Sequence, residues 1–86
     1  MCGLFGVAGK MKQKRTFMSV AAILNESRGA HSTGIGRVNN DCHAVCKSAV
    51  EASRFIQYAK YQEFVSKPSQ VLLGHCRWAT KGEISN

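Results

Sequence analysis

The segment Ser32-Thr33-Gly34-Ile35-Gly36-Arg37-Val38-Asn39-Asn40-Asp41-Cys42-His43-Ala44-Val45-Cys46-Lys47-Ser48 decides how the 86-residue chain is read. Its first part mixes β-branched residues with glycines, the composition of a strand to which other backbone comes close. Asn39-Asn40-Asp41 is a turn signal, because short amide and carboxylate side chains hydrogen-bond their own backbone. From Cys42 to Ser48 the residues alternate, with Cys42, Ala44 and Cys46 on one face and His43, Val45 and Lys47 on the other. Two strands joined by a short polar turn make an antiparallel hairpin. A hairpin in mid-chain argues against a plain parallel βαβ sheet.

Upstream, Leu4 to Ala8 is a short apolar run between glycines and reads as a buried strand. Lys10 to Lys14 is polar and reads as a loop. Thr16 then precedes a helix. Phe17, Val20, Ala21 and Leu24 follow the i, i+3, i+4, i+7 spacing expected of one buried face, and Gly29 ends the helix. Downstream, Ala52, Phe55, Ile56 and Ala59 give a second helical stripe extending to Phe64. Pro68 stops it and pushes Lys67 out of helical geometry. Val71-Leu72-Leu73 reads as an interior strand, followed by a loop from Gly74 to Gly82 that concentrates the polar chemistry. The predicted order is strand, helix, strand, strand, helix, strand, an α+β fold.

Twelve lysines and arginines face five acids, for a formal charge of +7. Lys10, Lys12, Lys14 and Arg15 cluster before the first helix and the other basic residues are scattered. The cluster reads as a solvated loop rather than a nucleic-acid surface. No run approaches the roughly 20 apolar residues needed to cross a bilayer. The glycine-broken apolar start lacks the basic region of a secretion signal. Four cysteines without an export signal are expected to be free thiols, and a cytoplasmic location follows as the default. No Gly-x-Gly-x-x-Gly or phosphate-loop signature follows a strand, so a nucleotide cofactor has no support.

Three segments carry possible chemistry. The first is Met1-Cys2-Gly3. Loss of an initiator methionine is favoured before a small residue, and Cys2 would then carry both a thiol and a free amine. Such an amine can take the thiol proton and return it to a leaving group, so one residue holds nucleophile and base. A small buried apolar cysteine is the plainer alternative. The second is Gly74-His75-Cys76-Arg77-Trp78-Ala79-Thr80-Lys81-Gly82. Arg77 could grip a carboxylate through two parallel hydrogen bonds, Trp78 offers a wall and Thr80 a hydroxyl. Alternatively, this is a surface arginine beside a core tryptophan. The third, Ser27-Arg28-Gly29-Ala30-His31-Ser32-Thr33-Gly34, is a polar loop that contacts a ligand or simply turns the chain. Cys42-His43-x-x-Cys46 with His75-Cys76 offers zinc-type ligands, but Cys42 and Cys46 are four apart in a strand, not in a two-residue-spaced knuckle, and are read as buried strand residues, not metal ligands.

Taken in order, these segments resemble class II glutamine amidotransferases, which are N-terminal nucleophile hydrolases. The resemblance is carried by Cys2-Gly3-Leu4-Phe5-Gly6-Val7, by Arg28-Gly29 through Ser32-Thr33-Gly34, and by Gly74-His75-Cys76-Arg77-Trp78-Ala79-Thr80. It covers nearly the whole chain but only the early part of that family's domain. It implies a partial αββα sandwich. It also implies hydrolysis of the glutamine side-chain amide to glutamate and ammonia. Cys2 would form a γ-glutamyl thioester, Arg77 would bind the α-carboxylate of L-glutamine, and Trp78, Thr80 and Arg28 would shape the pocket. Ammonia would pass to an acceptor in a synthase domain or subunit. His31, Cys76 and Lys81 depart from the residues usual in the family. The family's Asn-Gly oxyanion segment and a later aspartate do not occur before Asn86, so a C-terminal part is expected to be absent and these residues alone to be inactive or nearly so. A non-catalytic remnant or binding module of the same fold is the alternative.

Overall fold

The computed structural model describes residues 2–40 and 42–78. Four strands, β1 (Cys2–Ala8), β2 (Ser32–Asn39), β3 (Cys42–Ser48) and β4 (Val71–Arg77), form one sheet in the order β1-β4-β2-β3. Every neighbouring pair is antiparallel. The helices are α1 (Lys14–Asn25), continued by a 3₁₀ turn at Glu26–Arg28, then α2 (Ala52–Phe55) and α3 (Ala59–Ser66). The α+β class and the β2–β3 hairpin agree with the sequence reading. Asn40 takes the left-handed conformation at the hairpin turn, with φ of 55°, and its backbone N–H donates to Gln70 Oε1 at 2.8 Å.

The core lies between the helices and one face of the sheet. Met18, Ile35, Cys46, Phe55, Tyr61, Val65 and Leu72 form its main cluster, and Ala22, Ala52 and Cys76 a second, with Phe5 and Ile56 packed against both. Strand alternation accounts for the membership: Ile35 on β2, Cys46 on β3, and Leu72 and Cys76 on β4 all point toward the helices.

Several details differ from the sequence reading. Strand β1, read as buried, exposes Leu4, Gly6 and Ala8 on the sheet face away from the helices. The face of α1 that packs inward is Met18 and Ala22, not Phe17, Val20 and Leu24, which are exposed, whereas Ala21 is half-buried. Periodicity found the helix but could not choose between two apolar stripes about 100° apart on the same cylinder. The second predicted helix is two helices. Phe55 and Tyr61 are six residues apart, so one continuous helix would place them on widely separated faces. Tyr58 takes an extended conformation, with φ −71° and ψ 134°, and both rings then enter the core with centroids 5.2 Å apart. Strand β4 runs four residues beyond Leu73, so Gly74 to Arg77 are ladder residues and not loop. Cys42 is exposed, whereas Cys46 is buried.

The stripe assignment has a direct test. Met18→Ala is expected to cost about 2–4 kcal/mol, the usual range for emptying a core site. Leu24→Ala, on the exposed stripe, should stay within about 0.5 kcal/mol. Urea midpoints of the two variants would reverse if α1 packed through the other face.

The core also sets a pH limit. Burial raises the thiol values of Cys46 and Cys76 above the ordinary 9.0. Burial likewise raises the Tyr61 phenol above 10.0, against the lowering effect of its Ser19 hydrogen bond. The folded state therefore holds these protons more tightly than the unfolded chain. Stability from this source is complete below the ordinary values and is lost as pH rises through the shifted ones. Urea midpoints should be unaffected by these groups up to about pH 8 and fall above about pH 9.

Candidate active site

Cys2 opens β1 and Arg77 closes β4, and the sheet register sets them directly opposite each other. Arg77 also faces Ser32 on its other side. Cβ atoms of residues so paired stand about 4.5–5.5 Å apart. Gly3 and Cys76 face the helices: a side chain at Gly3 would collide with Asn25, whose Oδ1 lies 2.6 Å from the Cβ position. The Cys76 Sγ donates to the Ala22 carbonyl at 3.6 Å. By alternation Cys2 and Arg77 share the opposite face of the sheet, the one that no helix among the described residues covers.

The third segment joins them through backbone. The amide of His31 donates to the Arg77 carbonyl at 3.0 Å. Gly29 is buried against the same residue, and any Cβ there would overlap the Arg77 backbone. The His31 ring stands edge-on to Trp78, with centroids 4.6 Å apart and planes at 90°. Thus the start of β1, the end of β4 and the loop after the 3₁₀ turn converge at one corner of the sheet.

Next to Arg77 the uncovered face holds a cavity of about 330 Å³, bordered by Leu4, Gly34, Lys47, Leu73, His75 and Arg77 among others. This is near the lower end of the size range of small-molecule sites. The strand residues alternating onto this face include Arg77, His75, His43 and Lys47 and no carboxylate. Such a surface favours an anionic group. Cys2 is exposed, so its sulfur is open to a ligand seated beside Arg77.

The sequence-selected residues are not all placed alike. Cys2 and Arg77 come together across the sheet, and Trp78, the residue after Arg77, packs against the His31 ring. Arg28 ends the 3₁₀ turn and is exposed; its guanidinium makes no hydrogen bond or ion pair among the described residues. Thr80 and Lys81 lie outside the described residues. Sequence reasoning treated Gly29 as a helix end and as a glycine of the third segment, and missed its packing on Arg77. It also gave no place beside the pocket to Leu4, Lys47 and His75, whose shared face follows from strand pairing. The described residues hold no group of three or more histidine, cysteine or acidic side chains placed for a metal, and no helix long and apolar enough to cross a membrane.

Comparison with known proteins defines the class. The chain is homologous to the N-terminal portion of a class II glutamine amidotransferase domain, the domain with which its curated relatives begin. Those relatives are glutamine–fructose-6-phosphate aminotransferases. The enzyme of Sulfolobus acidocaldarius is 31% identical over 84 residues, covering 95% of this chain and 14% of its own. That of Chlamydia muridarum is 35% identical over 85 residues, covering 99% and 13%. That of Staphylococcus aureus is 35% identical over 82 residues, covering 95% and 13%. The chain therefore spans about one seventh of the length of the relatives it matches. No family model and no solved structure matches it.

Proposed function

We propose that this chain is the opening part of a glutamine-hydrolysing module of the N-terminal nucleophile type, with Cys2 as nucleophile and Arg77 as the carboxylate clamp. The observation that carries the reading is the pairing of Cys2 with Arg77 on the uncovered sheet face, beside a cavity without acidic lining. Glutamine presents a carboxylate at one end and an amide carbon at the other. Arg77 takes the first through charge-assisted hydrogen bonds, and the Cys2 sulfur then meets the second.

The chemistry needs a free α-amine on Cys2, so removal of Met1 belongs to the proposal. The amine accepts the thiol proton as sulfur attacks the amide carbon. It returns that proton to the departing nitrogen, releasing ammonia and leaving a γ-glutamyl thioester. Water then cleaves the thioester to glutamate and restores the thiol. Thr80 would complete the pocket beside Trp78, and Arg28 would support it from the neighbouring loop. By the names of the relatives, the ammonia acceptor would be fructose 6-phosphate.

The 86 residues contain no Asn-Gly pair. Without oxyanion donors from such a pair, turnover by these residues alone is expected to fall at least about a hundredfold below that of a complete site. The reading is tested with a thiol-directed glutamine analogue followed by peptide mapping. Labelling at Cys2 that L-glutamine suppresses supports it. A retained Met1, or labelling that glutamine does not suppress, favours a non-catalytic module of the same fold.

A further inference from the structure

His31 reaches the site corner twice. Its backbone N–H holds the Arg77 carbonyl, and its ring meets the indole of Trp78 edge-on at 4.6 Å. These contacts have different consequences. Arg77 is already fixed by two ladders, one to β1 and one to β2. Trp78 follows the last ladder residue, so no strand pairing orients it. Its indole is 40% exposed and takes its direction from whatever ring or chain lies against it. The edge-on arrangement sets the positive rim of one ring against the negative face of the other, which gives the pair a preferred geometry as well as contact area.

We propose that His31 is a positioning residue: its ring holds the Trp78 indole as a wall beside Arg77, against which the aliphatic stem of bound glutamine lies. The proposal rests on the reading that Arg77 binds the glutamine carboxylate. His31 touches no substrate atom in this role and acts through Trp78.

Trp78 is the only tryptophan of the chain, so its fluorescence reports the contact in the full chain without any ligand. In His31→Ala the emission should shift to the red. Acrylamide quenching should rise by up to about twofold, because an indole already 40% exposed has only its remaining cover to lose. His31→Phe keeps an edge-on ring and should restore both values. Circular dichroism checks that each variant is folded. If the alanine variant unfolds, His31→Gln, which keeps bulk without a ring, takes its place with the same expected changes. Unchanged emission and quenching in a folded ring-less variant overturns the proposal, as does failure of folded His31→Phe to restore them.

Titration with L-glutamine separates this inference from the functional reading beneath it. The ring-less variant should bind about fivefold more weakly than the native chain, the worth of one edge-on ring pair. Equal affinity of the two proteins sinks the role of His31 in the glutamine wall. If neither protein binds glutamine while the fluorescence change persists, the glutamine reading fails and the hold of His31 on Trp78 stands.

Discussion

Cys2→Ala is expected to abolish covalent capture of a thiol-directed glutamine analogue. In any polypeptide that includes this segment and hydrolyses glutamine, the same change should lower turnover by about 10⁴-fold or more, because removing a nucleophile removes the covalent route entirely. The substitution should leave the fold intact. Cys2 is exposed and its side chain fills no core position, so the urea midpoint should move by no more than about 0.5 kcal/mol. Loss of capture with unchanged stability separates a chemical role from a structural one. The other thiols are internal controls. Cys42 is exposed, on a different strand from Cys2, and Cys46 and Cys76 are buried. Glutamine-suppressible label on Cys42 in place of Cys2 would refute the assignment.

Gly29→Ala is the second large effect, and its cause is steric. The φ of Gly29 is −179°, an extended conformation open to any residue, so backbone strain plays no part. The added methyl would overlap the backbone N, Cα and C of Arg77. Arg77 cannot retreat, because its strand is paired on both sides. Either the loop lifts off the sheet or the end of β4 unzips, at an expected cost of about 2–4 kcal/mol. A chain of this size has a total stability of about 5–10 kcal/mol, so this is a large fraction of it. Gly9→Ala is the natural comparison. Gly9 has φ of +85° and nothing within 4 Å of its Cβ position, so alanine there pays only conformational strain, about 1 kcal/mol. Equal urea midpoints for the two variants would show that the loop does not press on Arg77.

The two predictions differ in how far the chain alone could suggest them. Cys2 was visible from its position and its companions: a cysteine after the initiator, glycine next, and an arginine-tryptophan pair far downstream. Gly29 was visible as a helix end and as a glycine of the Arg28-Gly29 segment, but not as a packing contact. Its contact with Arg77 joins residues 48 positions apart, and nothing local in either segment records it. Arg77 shows the same limit from the other side. Gly74 to Arg77 looked like loop because glycine, histidine and arginine weaken a local strand signal. Two flanking strands supply hydrogen bonds that override that preference. The alternation of Leu72, Gly74 and Cys76 into the core was present in the sequence, but a glycine and a cysteine make a faint apolar pattern.

Helix α1 is the converse case. Phe17, Val20 and Leu24 made the stronger stripe by hydrophobicity, yet the sheet receives Met18 and Ala22. Near its last turn, α1 comes close enough to β1 that Asn25 meets Gly3. The Ala22 carbonyl comes within hydrogen-bonding reach of Cys76. The small Ala22 on the inward face near that turn allows this approach, and a Phe17–Leu24 face would hold the helix away.

What the residues alone determined is local: an α+β alternation, the Ser32–Ser48 hairpin with its turn, the stop at Pro68, and the choice of Cys2, Arg77 and Trp78 as chemically eligible. Spacing and backbone preference suffice for these, because each depends on neighbours a few positions away. The tertiary structure alone decided that Cys2 and Arg77 face each other and that the loop of Gly29 and His31 closes against them. It also decided which stripe of α1 is buried and that, among the described residues, no helix covers the sheet face beside the site. These follow from strand order and register, which bring residues separated by tens of positions to a few ångströms. Such pairings are set by the summed packing of the whole sheet and its helices, and no single segment encodes them.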